Sequence, residues 1–164
     1  KNRPMKTIPI HSPQDTVKRL TARYRGRPGG LLPLLHAVQD DLGFVPPDAV
    51  PVIAQAFNLS RAEVHGVVSY YHHFRSTPPG RAVVQVCRAE ACQACGAEDL
   101  HAQAEHLLGI KSHETRGDGA VTLESVYCLG LCASSPAIQI NDRVHGRVTP
   151  ERLRSLVASL EVRP

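Results

Sequence analysis

Five cysteines occur in this chain of 164 residues, and all of them lie between positions 87 and 132. Four form two pairs: Cys87 and Cys92 are separated by four residues, Cys128 and Cys132 by three. Thiolates are soft ligands that select zinc, copper(I) or iron–sulfur clusters, and a [2Fe–2S] cluster is held by four of them. The two pairs therefore predict one metal centre with a complete set of thiolate ligands.

The cysteine spacing leaves several interpretations open. A structural zinc site also uses cysteine pairs separated by about two to four residues. Cys92 and Cys95 form a C-x-x-C sequence, which is typical of dithiol redox sites, although that reading leaves the second pair unexplained. Cys87, Cys92 and Cys95 with the distant Cys128 also match the plant-type ferredoxin spacing, and in that reading Cys132 is the spare cysteine.

The residues between the paired cysteines bear on how a metal would be held. Gly130 allows the backbone to bend without a Cβ clash, and the small residues Ala89, Ala91 and Ala133 allow main-chain N–H groups to approach the sulfurs. Such hydrogen bonds tune a reduction potential. Lys, Asp and Glu are absent between positions 128 and 132, so we expect this apolar loop to limit water access on one side.

Each cysteine pair begins where a predicted strand ends. Residues 82–86 are a short β-branched run before Cys87, and residues 121–127 alternate before Cys128. A predicted helix over 97–108 separates them, and this order indicates a parallel pair of strands. If the strands are neighbours, both cysteine pairs meet at one edge of the sheet. Zinc knuckles more often occupy short hairpins, so this placement favours iron–sulfur.

The rest of the chain supplies a helical region and the remainder of a small sheet. Helices are predicted over 13–24, 31–42, from after Pro47 to 57, and from Ser60, where Ser60 and Glu63 form a capping box. Pro78, Pro79 and Gly80 mark the strongest boundary. Beyond it, strands over 137–140 and 143–148 and a helix from Pro150 complete the sheet.

These elements predict an α/β (α+β) protein in which an N-terminal helical bundle precedes a thioredoxin-like domain. The predicted organisation is a flexible tail over 1–12, a helical domain over 13–77 and the sheet domain over 81–164.

Composition narrows the class of protein. Apolar residues make up 42% and charged residues 21%, as in an ordinary globular protein. The net charge of +4 is spread along the chain without interleaved aromatic residues, so we do not expect nucleic-acid binding. The sequence has neither a secretory signal nor the run of about 18 apolar residues that a membrane helix needs. We therefore expect a cytoplasmic location, where structural disulfides are rare.

Three stretches, one of which contains the second cysteine pair, resemble a known family together with the first pair. They are residues 34–43 (LLHAVQDDLG), 63–71 (EVHGVVSYY) and 128–142 (CLGLCASSPAIQIND). With Cys87 and Cys92, they are similar to the thioredoxin-like [2Fe–2S] ferredoxin family. That family includes the 24 kDa (E-type) subunit of respiratory complex I and the matching subunits of NAD-reducing hydrogenases and NAD-dependent formate dehydrogenases. The resemblance extends from about Asp15 to the C-terminus.

The resemblance implies a ligand set and a role. Cys87, Cys92, Cys128 and Cys132 are then the ligands of one [2Fe–2S] cluster, and Cys95 is not. It also implies a non-catalytic electron-transfer subunit beside a partner subunit that binds FMN and NAD(H), with further iron–sulfur or catalytic subunits. The chain has no dinucleotide-binding fingerprint, which is consistent with a nicotinamide site on that partner.

The first cysteine loop differs from many complex I members of the family. Those have Gly and Thr inside the first pair and no third cysteine just after it, whereas here residues 88–91 read RAEA and Cys95 follows. The loop is closer to the gamma subunit of a soluble NAD-dependent formate dehydrogenase, which is the subtype we predict. The E-type subunit of complex I or of an NAD-reducing hydrogenase is the alternative, and a four-cysteine zinc module is the alternative of another class.

Overall fold

The computed structural model describes residues 12–161, and these fall into two compact units divided between Pro78 and Pro79. The tail predicted over 1–12 lies outside the described residues apart from Ser12. The domain limits predicted from the sequence, 77 and 81, lie on either side of the division between the units.

The first unit consists of four helices. They are α1 (Pro13–Tyr24), α2 (Leu31–Leu42), α3 (Ala49–Phe57) and α4 (Arg61–Tyr70). Helix α1 begins as predicted, because the Ser12 side chain accepts a hydrogen bond from the Asp15 N–H. Helix α4 begins with the predicted capping box between Ser60 and Glu63. The core of this unit is formed by apolar side chains, of which five are fully buried: Leu34, Leu35, Val38, Ile53 and Val64.

The second unit combines four strands with three helices. In chain order they are β1 (Ala82–Cys87), α5 (Glu90–Ala94), α6 (Ala97–Leu108), β2 (Val121–Val126), β3 (Ile138–Ile140), β4 (Arg143–His145) and α7 (Pro150–Glu161). The core of this unit packs α6 and α7 against the sheet through buried apolar side chains. A helical unit followed by a helix-covered sheet confirms the predicted fold class.

The strand order in the sheet is β2-β1-β3-β4. Strands β1 and β2 are parallel, with Ala82 opposite Val121 and Cys87 opposite Val126, which confirms the predicted parallel pair. Strands β3 and β4 continue the sheet in antiparallel register. The two parallel strands therefore end side by side, at the same end of the sheet.

Three elements differ from the predictions. Helix α5 is absent from the predicted elements, and it fills most of the link between Cys87 and Cys95. A short 3₁₀ helix over Cys132–Ser134 is absent from them as well. Strand β4 ends at His145 instead of 148, because Arg147 has a φ of 49° and leaves the extended conformation.

None of the helices within residues 12–161 has the length and apolar character that crossing a membrane requires.

Candidate metal centre

The ends of strands β1 and β2 bring the two cysteine pairs together. Cys87 is the last residue of β1, and Cys128 lies two residues beyond the end of β2. Because these strands are parallel neighbours, both thiols leave the sheet at the same end. This is the convergence that the sequence predicted.

Cys87 and Cys92 belong to the protein interior. Each is only 2% exposed, and both lie in a small apolar cluster with Ala97 and Ala137. The Cys87 N–H donates to the Ala137 carbonyl at 3.0 Å, which ties the end of β1 to the segment before β3. Helix α5 turns the chain back, so that Cys92 returns to the same cluster. We call Cys87 and Cys92 the buried pair.

Cys128 and Cys132 are exposed, and we call them the exposed pair. The neighbouring Tyr127 is 66% exposed. The prediction that this apolar loop limits water access is therefore wrong for this chain. The physical reason is that Leu129 and Leu131 turn inward against the buried pair, which leaves the two thiols on the outer side.

The exposed loop has an unusual backbone. Cys128 has a φ of 124°, a conformation that residues with a Cβ rarely adopt, and Gly130 has a φ of 74°, which only glycine adopts at low cost. This bend lets the Gly130 N–H donate to the Cys128 Sγ at 3.3 Å. The predicted role of Gly130 as the bending residue is confirmed.

The four thiols interact with one another. The pKa of the Cys132 thiol is raised, chiefly by a hydrogen bond with Cys128 and its charge, and further by the charges of Cys92 and Cys87. Burial acts to raise the pKa of the Cys92 thiol, but hydrogen bonds from Ser135, Cys87 and the Ala137 N–H outweigh burial and lower it. The thiolate form is thus favoured at Cys92. At Cys132 it is disfavoured, because the negative charges of the neighbouring cysteines oppose it.

Two hydrogen-bond partners of Cys92 go beyond what the sequence predicted. The Ser135 Oγ lies 3.4 Å from the Cys92 Sγ and also donates to the Cys132 carbonyl at 2.9 Å. The Ala137 N–H is the second partner. Both residues flank the Ser135–Pro136 peptide bond, which is cis. The Ser-Ser-Pro sequence after Cys132 is the only local sign of this arrangement.

An ion pair fixes the buried segment at its outer side. The Arg88 guanidinium donates to both Glu98 carboxylate oxygens, at 3.1 and 2.8 Å, and joins the end of β1 to the first turn of α6. Arg88 also donates its N–H to the Val126 carbonyl at 2.8 Å, which keeps β1 and β2 paired up to the cysteines.

Cys95 stands apart from the other four cysteines. It is exposed and caps the C-terminal end of α5, where its N–H donates to the Cys92 carbonyl at 3.1 Å. The thiol interactions described above join Cys87, Cys92, Cys128 and Cys132 and do not include Cys95.

The donor set fits an iron–sulfur cluster in its chemistry. Four thiols meet at one sheet end, N–H groups point at two of the sulfurs, and mutual repulsion between thiolates would be relieved by bound metal. A [2Fe–2S] cluster divides its four thiolate ligands between two irons, two to each.

Fold and site together define a class, namely a thioredoxin-like domain that presents two thiol pairs at the end of its parallel strands. The model of the thioredoxin-like [2Fe–2S] ferredoxin family matches residues 17–161. The chain belongs to this family, which confirms the resemblance drawn from its sequence, and the cofactor of the family is a [2Fe–2S] cluster.

Several bacterial proteins that are similar to this chain are subunits of oxidoreductases. The chain is 34% identical over 146 residues to an E-type subunit of the NADH-quinone oxidoreductase of Rhizobium meliloti, covering 89% of this chain and 87% of the relative. It is 36% identical over 150 residues to NADH-quinone oxidoreductase subunit 2 of Thermus thermophilus, covering 90% and 83%. It is 30% identical over 130 residues to the NADP-reducing hydrogenase subunit HndA of Solidesulfovibrio fructosivorans, covering 79% and 76%.

Among solved structures, the chain is similar to part of an NAD⁺-reducing [NiFe]-hydrogenase in the H₂-reduced state. The TM-score is 0.68 at 25% identity, and the match covers 82% of this chain. It spans only 22% of the hydrogenase chain.

Proposed function

We propose that this chain holds one [2Fe–2S] cluster on Cys87, Cys92, Cys128 and Cys132 and carries electrons within an NAD(H)-linked oxidoreductase. The observation that carries the proposal is the convergence of both thiol pairs at the shared end of β1 and β2. When bound, such a cluster accepts and releases single electrons.

The chain's own residues divide the work of holding the cluster. The buried pair provides ligands whose positions are fixed by the domain core, and the exposed pair closes the site from a bent loop. The N–H groups of Gly130 and Ala137 place positive dipole ends at two sulfurs, which favours the extra negative charge of a reduced cluster.

Four cysteine thiolates are also the ligands of a structural zinc site. Membership of a [2Fe–2S] family favours iron in the same place.

A nicotinamide link is supported by the names of the relatives, each of which contains NADH, NADP or NAD⁺. A nicotinamide passes two electrons as a hydride, whereas an iron–sulfur cluster takes them singly, and flavins handle hydride transfer as well. We therefore propose a partner subunit that binds FMN and NAD(H), with this chain accepting electrons from the reduced flavin.

The relatives named above do not support the more specific prediction of a formate dehydrogenase gamma subunit. They are subunits of NADH-quinone oxidoreductases and of hydrogenases. An E-type subunit of an NADH-quinone oxidoreductase or of a hydrogenase is thus the better supported alternative. The formate dehydrogenase gamma subunit remains a prediction from the loop after Cys87.

The test uses the complex that contains this chain, purified without oxygen. We expect NADH to produce the electron paramagnetic resonance signal of a reduced [2Fe–2S] cluster, and Cys92→Ser to remove that signal. If dithionite produces the signal but NADH does not, the cluster is correct and the nicotinamide link is wrong. Adding formate to the same sample separates the subtypes, since only a formate dehydrogenase reduces the cluster with formate.

A further inference from the structure

The Ser135 hydroxyl lies between the two cysteine pairs. Its oxygen is 3.4 Å from the Cys92 Sγ on one side and 2.9 Å from the Cys132 carbonyl oxygen on the other. The side chain is half-buried, so water competes only partly for this hydroxyl. It is therefore a side-chain donor within reach of a predicted ligand sulfur.

A serine hydroxyl has a single proton to donate. The Ser135 hydroxyl donates this proton to the Cys132 carbonyl, and a protonated Cys92 thiol can donate its own proton to the Ser135 Oγ. A metal-bound Cys92 is a thiolate, so it has no proton and can only accept. The Ser135 hydroxyl then has two acceptors, one neutral and one negatively charged.

The charged acceptor is the stronger partner, because hydrogen bonds to ionised groups are roughly twice as strong as neutral ones. Reduction adds one electron to the cluster, supplied by a reduced flavin in the proposed complex, and no bond breaks. Negative charge on the ligand sulfurs increases, so a hydroxyl that donates to one of them stabilises the reduced form more than the oxidised form.

We propose that Ser135 is a positioning residue that donates its hydroxyl hydrogen bond to the Cys92 thiolate and thereby raises the reduction potential of the cluster. This inference rests on the proposed cluster and its ligand set. The Gly130 and Ala137 amides also donate to ligand sulfurs, but they are backbone groups. The Ser135 hydroxyl belongs to a side chain, so a substitution removes it.

Four variants of the 164-residue chain, loaded with cluster, test the proposal. Ser135→Ala removes the hydroxyl. Ser135→Thr and Ser135→Val form a matched pair, since both are β-branched and only Thr keeps a hydroxyl. Ser134→Ala removes the neighbouring hydroxyl of the same loop, to which the proposal gives no part at the sulfurs, and serves as the control.

The measurement is a redox titration of each variant, followed by electron paramagnetic resonance and visible absorbance. Iron and sulfide are counted first. We expect Ser135→Ala and Ser135→Val to shift the equilibrium about three- to tenfold towards the oxidised form, where tenfold equals about 59 mV for one electron. We expect Ser135→Thr and Ser134→Ala to leave it unchanged.

Each outcome decides between the claims. Equal potentials in Ser135→Thr and Ser135→Val overturn the role of Ser135 but not the cluster. Loss of cluster in Ser135→Ala and Ser135→Val, with retention in Ser135→Thr, supports a hydroxyl that holds Cys92 in place. Loss in Ser135→Thr as well shows that side-chain shape matters there and overturns the inference. An unmodified chain without iron and sulfide contradicts the proposed function itself.

Discussion

The two cysteine pairs sit at the ends of neighbouring strands, yet their surroundings are opposite. The buried pair lies in an apolar cluster, and each of its two residues is 2% exposed. The exposed pair lies on a loop that contains two residues with positive φ and whose thiols reach the surface. The difference indicates that packing of the domain core fixes the positions of the buried pair, whereas the local backbone conformation of the loop fixes those of the exposed pair.

From this comparison we expect both pairs to be equally necessary for binding the cluster, but their segments to contribute unequally to the stability of the fold. A cluster needs all four thiolates regardless of their burial. Stability, in contrast, depends on how much apolar surface each segment removes from water.

The largest expected effect is loss of the cluster. Cys92→Ser from the buried pair and Cys132→Ser from the exposed pair should each abolish the cluster, because each removes one of four ligands. Cys95→Ser should keep about two irons per chain. Iron and sulfide assays with visible spectra check this.

The matched control is Cys95→Ser, which changes an exposed thiol beside the site. If that variant loses its cluster while Cys132→Ser keeps one, the plant-type ligand set is correct and the exposed pair does not act as a pair.

The next effect concerns stability on the two sides of the site. Val86→Ala, at a fully buried position next to Cys87, should lower the free energy of unfolding by about 2 kcal/mol through lost burial and a cavity. Leu131→Ala, at a half-buried position that packs against the buried pair, should cost less, about 1 kcal/mol, although it removes more atoms.

Urea unfolding of both variants in the same metal state measures this difference. An equal or larger cost for Leu131→Ala would show that the exposed loop contributes as much to the core as the end of β1 does, which contradicts the comparison.

A smaller effect is expected from alanine substitutions of two glycines, which distinguish the cost of backbone strain from the loss of a hydrogen bond to a ligand sulfur. Gly130 and Gly96 both have positive φ, 74° and 85°, with open space where a Cβ would lie. Alanine at either position should cost about 1 kcal/mol, because a residue with a Cβ is strained in the left-handed conformation. Relief of this strain turns the N–H of the substituted residue away from its partner. Of the two glycines only Gly130 donates its N–H to a ligand sulfur, so only Gly130→Ala should shorten the lifetime of the cluster in air.

Gly96→Ala is the control for this prediction. The two costs are compared by thermal unfolding, and the cluster lifetimes by loss of visible absorbance. Equal lifetimes in the two variants would mean that the left-handed conformation of residue 130 is not needed to support the Cys128 ligand.

The smallest effect is a pH dependence at the turn that leads into β2. The Arg116 Nε–H donates to both carboxylate oxygens of Asp118, and the Ala120 N–H donates to one of them; these hydrogen bonds lower the pKa of Asp118 to about 2. A carboxyl with a lowered folded pKa stabilises the fold above its unfolded pKa of about 3.9 and loses that contribution as pH falls towards 2. Because Asp118 is exposed, solvent screening keeps the contribution small.

Asp118→Asn should therefore be less stable than the unmodified chain above about pH 4, with the difference shrinking as pH falls towards about 2. Unfolding followed across that range measures it. A difference that stays constant with pH would show that Asp118 acts through its shape instead of its charge.

Local signals explain which parts of the fold could be predicted. The Ser12 and Ser60 caps and the apolar face of α2 are encoded within a few residues, and the structure has these helices at the predicted positions. Helix α5 spans five residues, too few to show a helical period, so the sequence pattern does not reveal it.

The features of the site that depend on tertiary contacts could not be predicted. The contact between Cys92 and Ser135 joins residues 43 apart in the chain, so no local pattern marks it. Exposure of the thiols at 128 and 132 depends on which way Leu129 and Leu131 turn, and composition alone suggested the opposite. The convergence of the pairs was predictable because parallel strands end together.

The most direct test of the account is the iron, zinc and acid-labile sulfide content of the protein purified without oxygen. One [2Fe–2S] cluster requires about two irons and two sulfides per chain, with no stoichiometric zinc. One zinc per chain without sulfide would contradict the central claim and make the four thiols a structural zinc site.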